Sequence, residues 1–276
     1  MNIGIFTWFG YLLPMEERAR FIRAAGFDSV MLWMDDFGSA ADPLTEQQPD
    51  LFRKHGLRIT NVHLPFERAN DLWNDNGDGK GWYEMLAGYI ADCGRYNIPA
   101  AVVHPSFGDA PPPLNDIGLQ RIRRLVELGE KAGVDVAFEN LRRPEELEYI
   151  FGSIESNRLK FCYDSGHEFV VDRISRFTKD GYPHMDLLEK FGGRLSTIHL
   201  HDNDGTEDQH LMPFDGAIPW DNIIARLRGT GYDGDLTLES MANIAINNDT
   251  VQYTPEEFLA ECMKRAKRLA AMMEDS

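Results

Sequence analysis

Apolar residues along this chain fall into short runs separated by longer amphipathic stretches. Eight runs read as strands: 2–8 (NIGIFTW), 28–34 (DSVMLWM), 58–64 (RITNVHL), 99–104 (PAAVVH), 134–139 (VDVAFE), 159–164 (LKFCYD), 195–201 (LSTIHLH) and 234–239 (GDLTLE). Most lack strict alternation and are rich in Val, Ile, Leu and Phe, the pattern of parallel strands covered by helices. Between them lie helical stretches. Residues 14–25 end at Gly26, a C-cap residue. Residues 114–132 place Ile117, Ile122, Leu125, Val126, Leu128 and Ala132 at apolar positions and stop at Gly133. Residues 219–229 open on Pro219, and 254–273 open on Thr254-Pro255-Glu256-Glu257, a capping-box pattern.

Strand starts recur roughly every 25–40 residues, the spacing of successive βα units. Eight such units in 276 residues predict an α/β fold, a (β/α)8 barrel, as one domain over 1–276. An open doubly wound sheet is the alternative. No Gly-x-Gly-x-x-Gly follows the first strand, and no Walker loop occurs. Pro111-Pro112-Pro113 reads as a barrel loop leading into a helix. The loops at 67–80 and 202–218 are long and polar and follow strands; pocket shape is expected to depend on loops 9–13, 34–46, 66–80 and 105–113.

Charge narrows the range of partners. Asp and Glu number 45 against 28 Lys and Arg, a formal net charge of −17. Such a surface repels a phosphate backbone unless its basic residues gather on one face, and no Lys/Arg run provides one. A nucleic-acid partner is therefore not expected. The first residues, Met1 to Phe6, read as a strand and not as a signal peptide. No stretch approaches the roughly 18 apolar residues of a membrane span. Cys93, Cys162 and Cys262 are odd in number and far apart, with no CxxC pair, which points to a reduced, cytoplasmic setting.

Chemistry in a barrel collects at the C-terminal ends of its strands. Strand 3 ends at His63, strand 4 at His104-Pro105, strand 5 at Glu139-Asn140 and strand 6 at Asp164, with His167 three residues on. Strand 7 ends His199-Leu200-His201-Asp202 and strand 8 ends at Glu239. Taken singly, a strand-end His is most often a hydrogen-bonded structural residue, and Asp164 before a helix is most often a cap. Glu139 and Glu239 close apolar runs, where a carboxylate is costly to bury unless paired or metal-bound. Around one mouth these acids need a cation. Glu139, Asp164, His199 and Glu239 are the expected ligands, one from each of strands 5 to 8. Mixed carboxylate and imidazole ligands suit Mn, Zn, Fe or Co as the divalent metal ion, and Mg less well. His199 lies deeper in its strand and His201 nearer the rim. A second group, Asp202, Asp208 and His210, follows in the loop. Trp8 and Phe9 end strand 1, Trp33 ends strand 2 and Phe66 follows strand 3; Trp8, Trp33 and Phe66 are candidates to pack on a sugar, although plain packing explains any one of them.

Val62-His63-Leu64-Pro65, Val103-His104-Pro105, Phe138-Glu139-Asn140-Leu141, Asp164-Ser165-Gly166-His167, Ile198-His199-Leu200-His201-Asp202-Asn203, Asp208-Gln209-His210 and Leu238-Glu239 form an ordered set. By it the chain resembles the xylose isomerase-like TIM-barrel superfamily, the sugar phosphate isomerase/epimerase group that also contains endonuclease IV. The resemblance implies one divalent metal held by Glu139, Asp164, His199 and Glu239. It implies Glu139 and Glu239 as an acid/base pair working through a cis-enediolate of a keto sugar or polyol, and His167 touching the substrate. Arg142 is a candidate for a substrate hydroxyl, carboxylate or phosphate, and a surface Arg is the equal alternative. No phosphate-cradling glycine loop occurs, so an unphosphorylated sugar is expected. The endonuclease IV branch implies three zinc ions, with His63, His104, His167, Asp208 and His210 as further ligands. The net charge and the absence of a basic, aromatic-interleaved run argue against that activity. Inosose-type dehydratases and sugar-acid lyases share the scaffold. A non-enzymatic binding protein leaves Glu139 and Glu239 unexplained. A homo-oligomer is a family expectation only.

Overall fold

A chain of alternating strands and helices closes into a barrel when each parallel strand pairs with the next. The computed structural model describes residues 1–34, 47–177, 185–242 and 253–274, so most of the expected 34–46 loop lies outside the described residues. The strands are β1 (Ile3–Phe6), β2 (Ser29–Trp33), β3 (Arg58–His63), β4 (Ala100–Val103), β5 (Asp135–Glu139), β6 (Leu159–Asp164), β7 (Leu195–His199) and β8 (Leu236–Leu238). They form one sheet in the order β7-β6-β5-β4-β3-β2-β1-β8, every pair parallel. The last gap is closed by a bridge just past β7: the Leu200 N–H donates to Thr237 O at 2.9 Å and the Glu239 N–H donates to Leu200 O at 3.0 Å. The architecture is the expected (β/α)8 barrel, and the open doubly wound sheet is excluded.

The helices are α1 (Met15–Ala24), α2 (Gln48–Lys54), α3 (Gly77–Arg95), α4 (Asp116–Ala132), α5 (Pro144–Ser153), α6 (Ser165–Phe177), α7 (Leu187–Phe191), α8 (Trp220–Gly229) and α9 (Pro255–Glu274). Their ends follow local chemistry. Asn115 caps α4 by accepting the Gly118 N–H at 3.0 Å, and the helix stops where Gly133 turns left-handed at φ +74°. Before α9, Thr254 and Glu257 exchange backbone-to-side-chain hydrogen bonds at 2.8 and 3.3 Å, the reciprocal capping box.

Each strand has two working faces because side chains alternate. On β5, Val136 and Phe138 join the core shared with the helices, while Ala137 packs inside the barrel with Val102 and Cys162. Glu139, two residues beyond Ala137, opens on the same inner side at the C-terminal mouth. Phe6, Met31 and Trp33 form a second inner cluster, with Trp8 against it. Just beneath the mouth the interior is filled by these side chains together with Asn61, whose Nδ2 donates to Thr197 Oγ1 at 2.9 Å, and this floor underlies the ionisable groups above it.

Candidate metal centre

Glu139 is the hub of the mouth and is buried. Its Oε2 lies 3.1 Å from His104 Nε2 and 3.3 Å from His63 Nε2. Its Oε1 lies 3.2 Å from His167 Nδ1 and 3.3 Å from His199 Nδ1. His199 Nδ1 is also 3.3 Å from Glu239 Oε2 and 3.9 Å from Asp164 Oδ2. One imidazole nitrogen therefore stands among three carboxylates from β5, β6 and the end of β8. The four residues expected to hold a metal, Glu139, Asp164, His199 and Glu239, each bring one ligand atom within 4.8 Å of all the others.

Asp164 has two duties. Its Oδ1 accepts the His167 N–H at 2.6 Å, capping the start of α6, and its Oδ2 contacts His201 Nε2 at 3.0 Å. The cap reading holds for this residue, and the same carboxylate also stands in the group that could hold a metal. His167, held in the first turn of α6, turns Nε2 to Asp208 Oδ2 at 3.1 Å. The same oxygen lies 3.1 Å from His210 Nε2. His210 adopts a left-handed backbone, φ +49°, which aims its Nδ1 at Glu239 O, 2.9 Å away. The structure thus brings all five additional candidates, His63, His104, His167, Asp208 and His210, to the one centre.

Two residues differ from expectation. His201 is fully buried, not at the rim, and its ring stacks on His210 with centroids 4.1 Å apart. The regular β7 ladder ends at His199 and Leu200 bridges to β8; His201 is then held inward because Ser165 Oγ donates to His201 O at 2.9 Å and accepts the His201 N–H at 3.2 Å. His201 joins possible ligand groups with Asp164 and His167, and with His210 and Glu239. Its two-residue offset from His199 was the only sequence signal for it. Asp202 is instead consumed by the fold. It accepts from the N–H groups of Phe214 (2.9 Å) and Ile218 (3.1 Å) and from Trp220 Nε1 (2.8 Å), so it shapes the 202–218 loop.

Charge in this cluster is internally matched. Burial pushes Glu139 up, but His199, His104 and His167 hold it well below the usual carboxylate range. Glu239 falls to about 2, its burial outweighed by His199 and His210. His199 and His167 are held well above the usual imidazole range against their burial, by Cys162, Glu239 and Glu139 for the first and by Asp164 and Asp208 for the second. His210 rises to about 9 beside Asp208, again against burial, and Asp208 is held well down by His210 and His167. His104 goes the other way, lowered chiefly by burial. Glu139 Oε1, His199 Nδ1, His104 Nδ1 and His201 Nδ1 are buried without a well-formed hydrogen bond. Buried polar atoms left this way call for a further partner, and the donor set of carboxylate oxygens and imidazole nitrogens fits a divalent transition metal.

Above the centre opens a cavity of about 600 Å³. Trp8, Trp33, Phe66, Arg142 and His167, the candidate substrate contacts, all line it, as do Glu139 and Glu239. Arg142 pairs with Asp109 at the lip of the cavity. Phe107, which the sequence did not single out, is also in the wall and is 43 % exposed. Only its place three residues after a strand-end His marked it.

The profile of xylose isomerase-like TIM barrels matches residues 19–269. The chain belongs to this family. Among its relatives, uncharacterized protein y4fM of Sinorhizobium fredii (strain NBRC 101917 / NGR234) is 26% identical over 269 residues, covering 84% of this chain and 83% of that protein. Fructoselysine 3-epimerase of Escherichia coli O157:H7 is 26% identical over 259 residues, covering 87% of this chain and 90% of the epimerase. The crystal structure of a D-tagatose 3-epimerase-like protein superimposes with a TM-score of 0.71 at 20% identity, covering 98% of this chain and 100% of that one, and so shares the fold. Family membership, with the ionisable centre intact, marks the chain as an enzyme. Among the described residues, no helix is long and apolar enough to cross a membrane.

Proposed function

We propose that this chain is a divalent-metal-dependent sugar isomerase or epimerase acting on a keto sugar or related polyol, as one domain spanning 1–276. The observation that carries the reading is the convergence of Glu139, Asp164, His199 and Glu239 on one point, with two of them glutamates flanking His199 Nδ1 at 3.3 Å each. The fructoselysine 3-epimerase relative supports a proton-transfer chemistry at a sugar carbon. A divalent ion held by these four residues would supply Lewis-acid polarisation of the substrate's carbonyl and hydroxyl oxygens. The chain's own groups do the rest. One glutamate carboxylate removes the proton from the carbon beside the carbonyl, giving a cis-enediolate. The other, presented from a different strand, returns a proton to the opposite face, and that completes an epimerisation. Both are held ionised by neighbouring imidazoles, so either is ready as the base, and the one that serves as acid first takes its proton from solvent or from a neighbouring imidazolium, His210 for Glu239 or His167 for Glu139. His167, fixed between Asn140 O (3.0 Å) and Asp208, orients a substrate hydroxyl. The aromatic wall and the buried setting keep bulk water from the enediolate. The reading places the enzyme in a reducing cytoplasm, where the buried Cys93, Cys162 and Cys262 remain thiols.

The test is exchange with solvent. Metal-loaded protein incubated with ketohexoses and ketopentoses in D2O should wash deuterium into the carbon next to the carbonyl, read by NMR. Glu239→Gln should lose that exchange while its circular dichroism stays native. Exchange retained in Glu239→Gln would remove Glu239 from the acid/base role, and the absence of exchange across the panel would sink the reading.

A second reading, a multi-zinc phosphodiesterase, is favoured by one observation. Asp208 Oδ2 sits 3.1 Å from both His167 and His210, and Glu139 Oε2 faces both His63 and His104, so donors exist for more than one ion. Elemental analysis separates the two: about three zinc ions per chain support the phosphodiesterase, and one ion supports the epimerase.

A further inference from the structure

The cavity has two chemically different walls. The carboxylates and imidazoles form one. The other is a row of rings from the β1–β4 side. Centroids lie 6.1 Å apart for Trp8–Trp33, 5.8 Å for Trp33–Phe6, 6.3 Å for Phe6–His63, 5.4 Å for His63–Phe66 and 5.7 Å for Phe66–Phe107. The row passes over His63 of the centre and ends in the open at Phe107. The backbone that carries it is held there. The Phe107 N–H donates to Asn70 Oδ1 at 2.9 Å, and Asn70 Nδ2 donates to Phe107 O at 2.8 Å. An exposed phenyl on a clamped backbone, continuous with a cavity wall, is apolar surface waiting for cover, unlike a stray surface apolar residue. Size points the same way. A cavity of about 600 Å³ has room for roughly 20 waters, and a free hexose displaces on the order of six to eight. A lone sugar seated at Glu139 and Glu239 leaves most of the aromatic wall bare.

We propose that the substrate is a sugar carrying an apolar, ring-sized substituent. Its reacting carbons sit at the Glu139–Glu239 pair and its substituent lies against Trp33, Phe66 and Phe107. This rests on the sugar reading above and narrows it to a substrate class. The polar wall then recognises the hydroxyls, and the rings bury a face of the substituent, which adds affinity without touching the chemistry.

Calorimetric titration of the purified, metal-loaded protein tests it with two pairs of probes: D-fructose against 1-benzylamino-1-deoxy-D-fructose, and D-glucose against benzyl glucoside, with benzylamine and benzyl alcohol alone as controls. In at least one pair the conjugate should bind about ten-fold or more tightly than the bare sugar, and more tightly than the ring alone. In Phe107→Ala and Phe66→Ala that ratio should shrink toward one. Bare sugars binding as tightly as their conjugates would overturn this inference and leave the sugar reading standing. A ring alone binding as well as its conjugate would also overturn it. Binding by no sugar and no conjugate would remove the sugar reading itself, and this inference with it. An unchanged ratio in both variants would take the aromatic wall out of recognition and refute the assignment.

Discussion

Glu146, on α5 behind the cavity wall, gives a sharp test of the electrostatics. Its side chain is 1 % exposed. Ser106 Oγ donates to its Oε2 at 2.8 Å, its Oε1 accepts no hydrogen bond, and the Arg143 guanidinium lies 3.6 Å from that oxygen. Burial outweighs Ser106 and Arg143 and lifts the carboxyl from 4.5 to about 7. The folded chain therefore keeps a proton, between those two values, that the unfolded chain releases. Folding takes up protons in that window, so this group makes stability fall as pH rises from about 4.5 to 7 and holds it at the lower level above. At 1.36 kcal/mol for each tenfold, the loss amounts to about 3 kcal/mol. Glu146→Gln keeps the shape and cannot ionise. Urea unfolding of both proteins, followed by fluorescence and circular dichroism with coincident transitions, should show the variant gaining on the parent by about 2–3 kcal/mol between pH 5 and pH 8. A constant offset between the two proteins has no bearing, because it reflects amide against acid. A difference that does not change with pH would refute the argument, since it would mean that Glu146 titrates alike in the folded and unfolded chains.

Other perturbations probe the centre and its supports. Mn²⁺, Co²⁺ or Zn²⁺ at a hundredfold excess over its dissociation constant should stabilise the fold by about 2.7 kcal/mol, read as a higher urea midpoint that a chelator reverses; a midpoint indifferent to all three would refute the metal site. A methyl on Gly166 would overlap the His201 ring, so Gly166→Ala should cost about 1–3 kcal/mol and weaken metal binding by loosening His201 from Asp164; unchanged affinity by calorimetry would show that His201 does not support the site. Arg226 grips Glu168 at 2.8 and 2.9 Å and Asp186 at 3.0 Å, so Arg226→Ala should cost about 3–5 kcal/mol of stability in thermal or chemical unfolding, and a loss below about 1 kcal/mol would show the bridge to be idle.

What could be read from the sequence followed from physics that acts locally. Strands covered on both faces appear as unbroken apolar runs, so β2 to β6 were legible nearly to the residue, as were the Gly133 stop and the Thr254 capping box, while the Asn115 cap of α4 came only from the structure. The run 234–239 was read longer than β8, which pairs only over Leu236–Leu238; the Asp235 carboxylate just before it accepts from Ser29 and from Arg58 Nη2. The clustering of Glu139, Asp164, His199 and Glu239 was legible because a barrel brings every strand end to one mouth, so position in a strand stood in for position in space. The place of His201 was not. It depends on Ser165, on the room left by Gly166 and on the stack with His210, contacts that join three separate loops and strand ends. Phe107 was missed for a similar reason: what distinguishes it is the clamp from Asn70, in a short 3-10 helix (Ala69–Trp73) 37 residues away.

The concentration of rare residues at the mouth also explains how the apoprotein can fold at all. Six of the chain's eight histidines, His63, His104, His167, His199, His201 and His210, gather around the carboxylates of Glu139, Asp164, Asp208 and Glu239. Ionised acids packed this closely in a protein interior would oppose folding by several kcal/mol each. Imidazoles that hold protons well above their usual range supply the missing positive charge before any cation arrives. On the proposed reading a metal would have to displace those protons, so binding would exchange one positive charge for another and would not build a charged site from nothing. The formal charge of −17 is consequently a poor guide to this region: its acids are balanced in place, and the excess that would repel polyanions lies elsewhere on the chain.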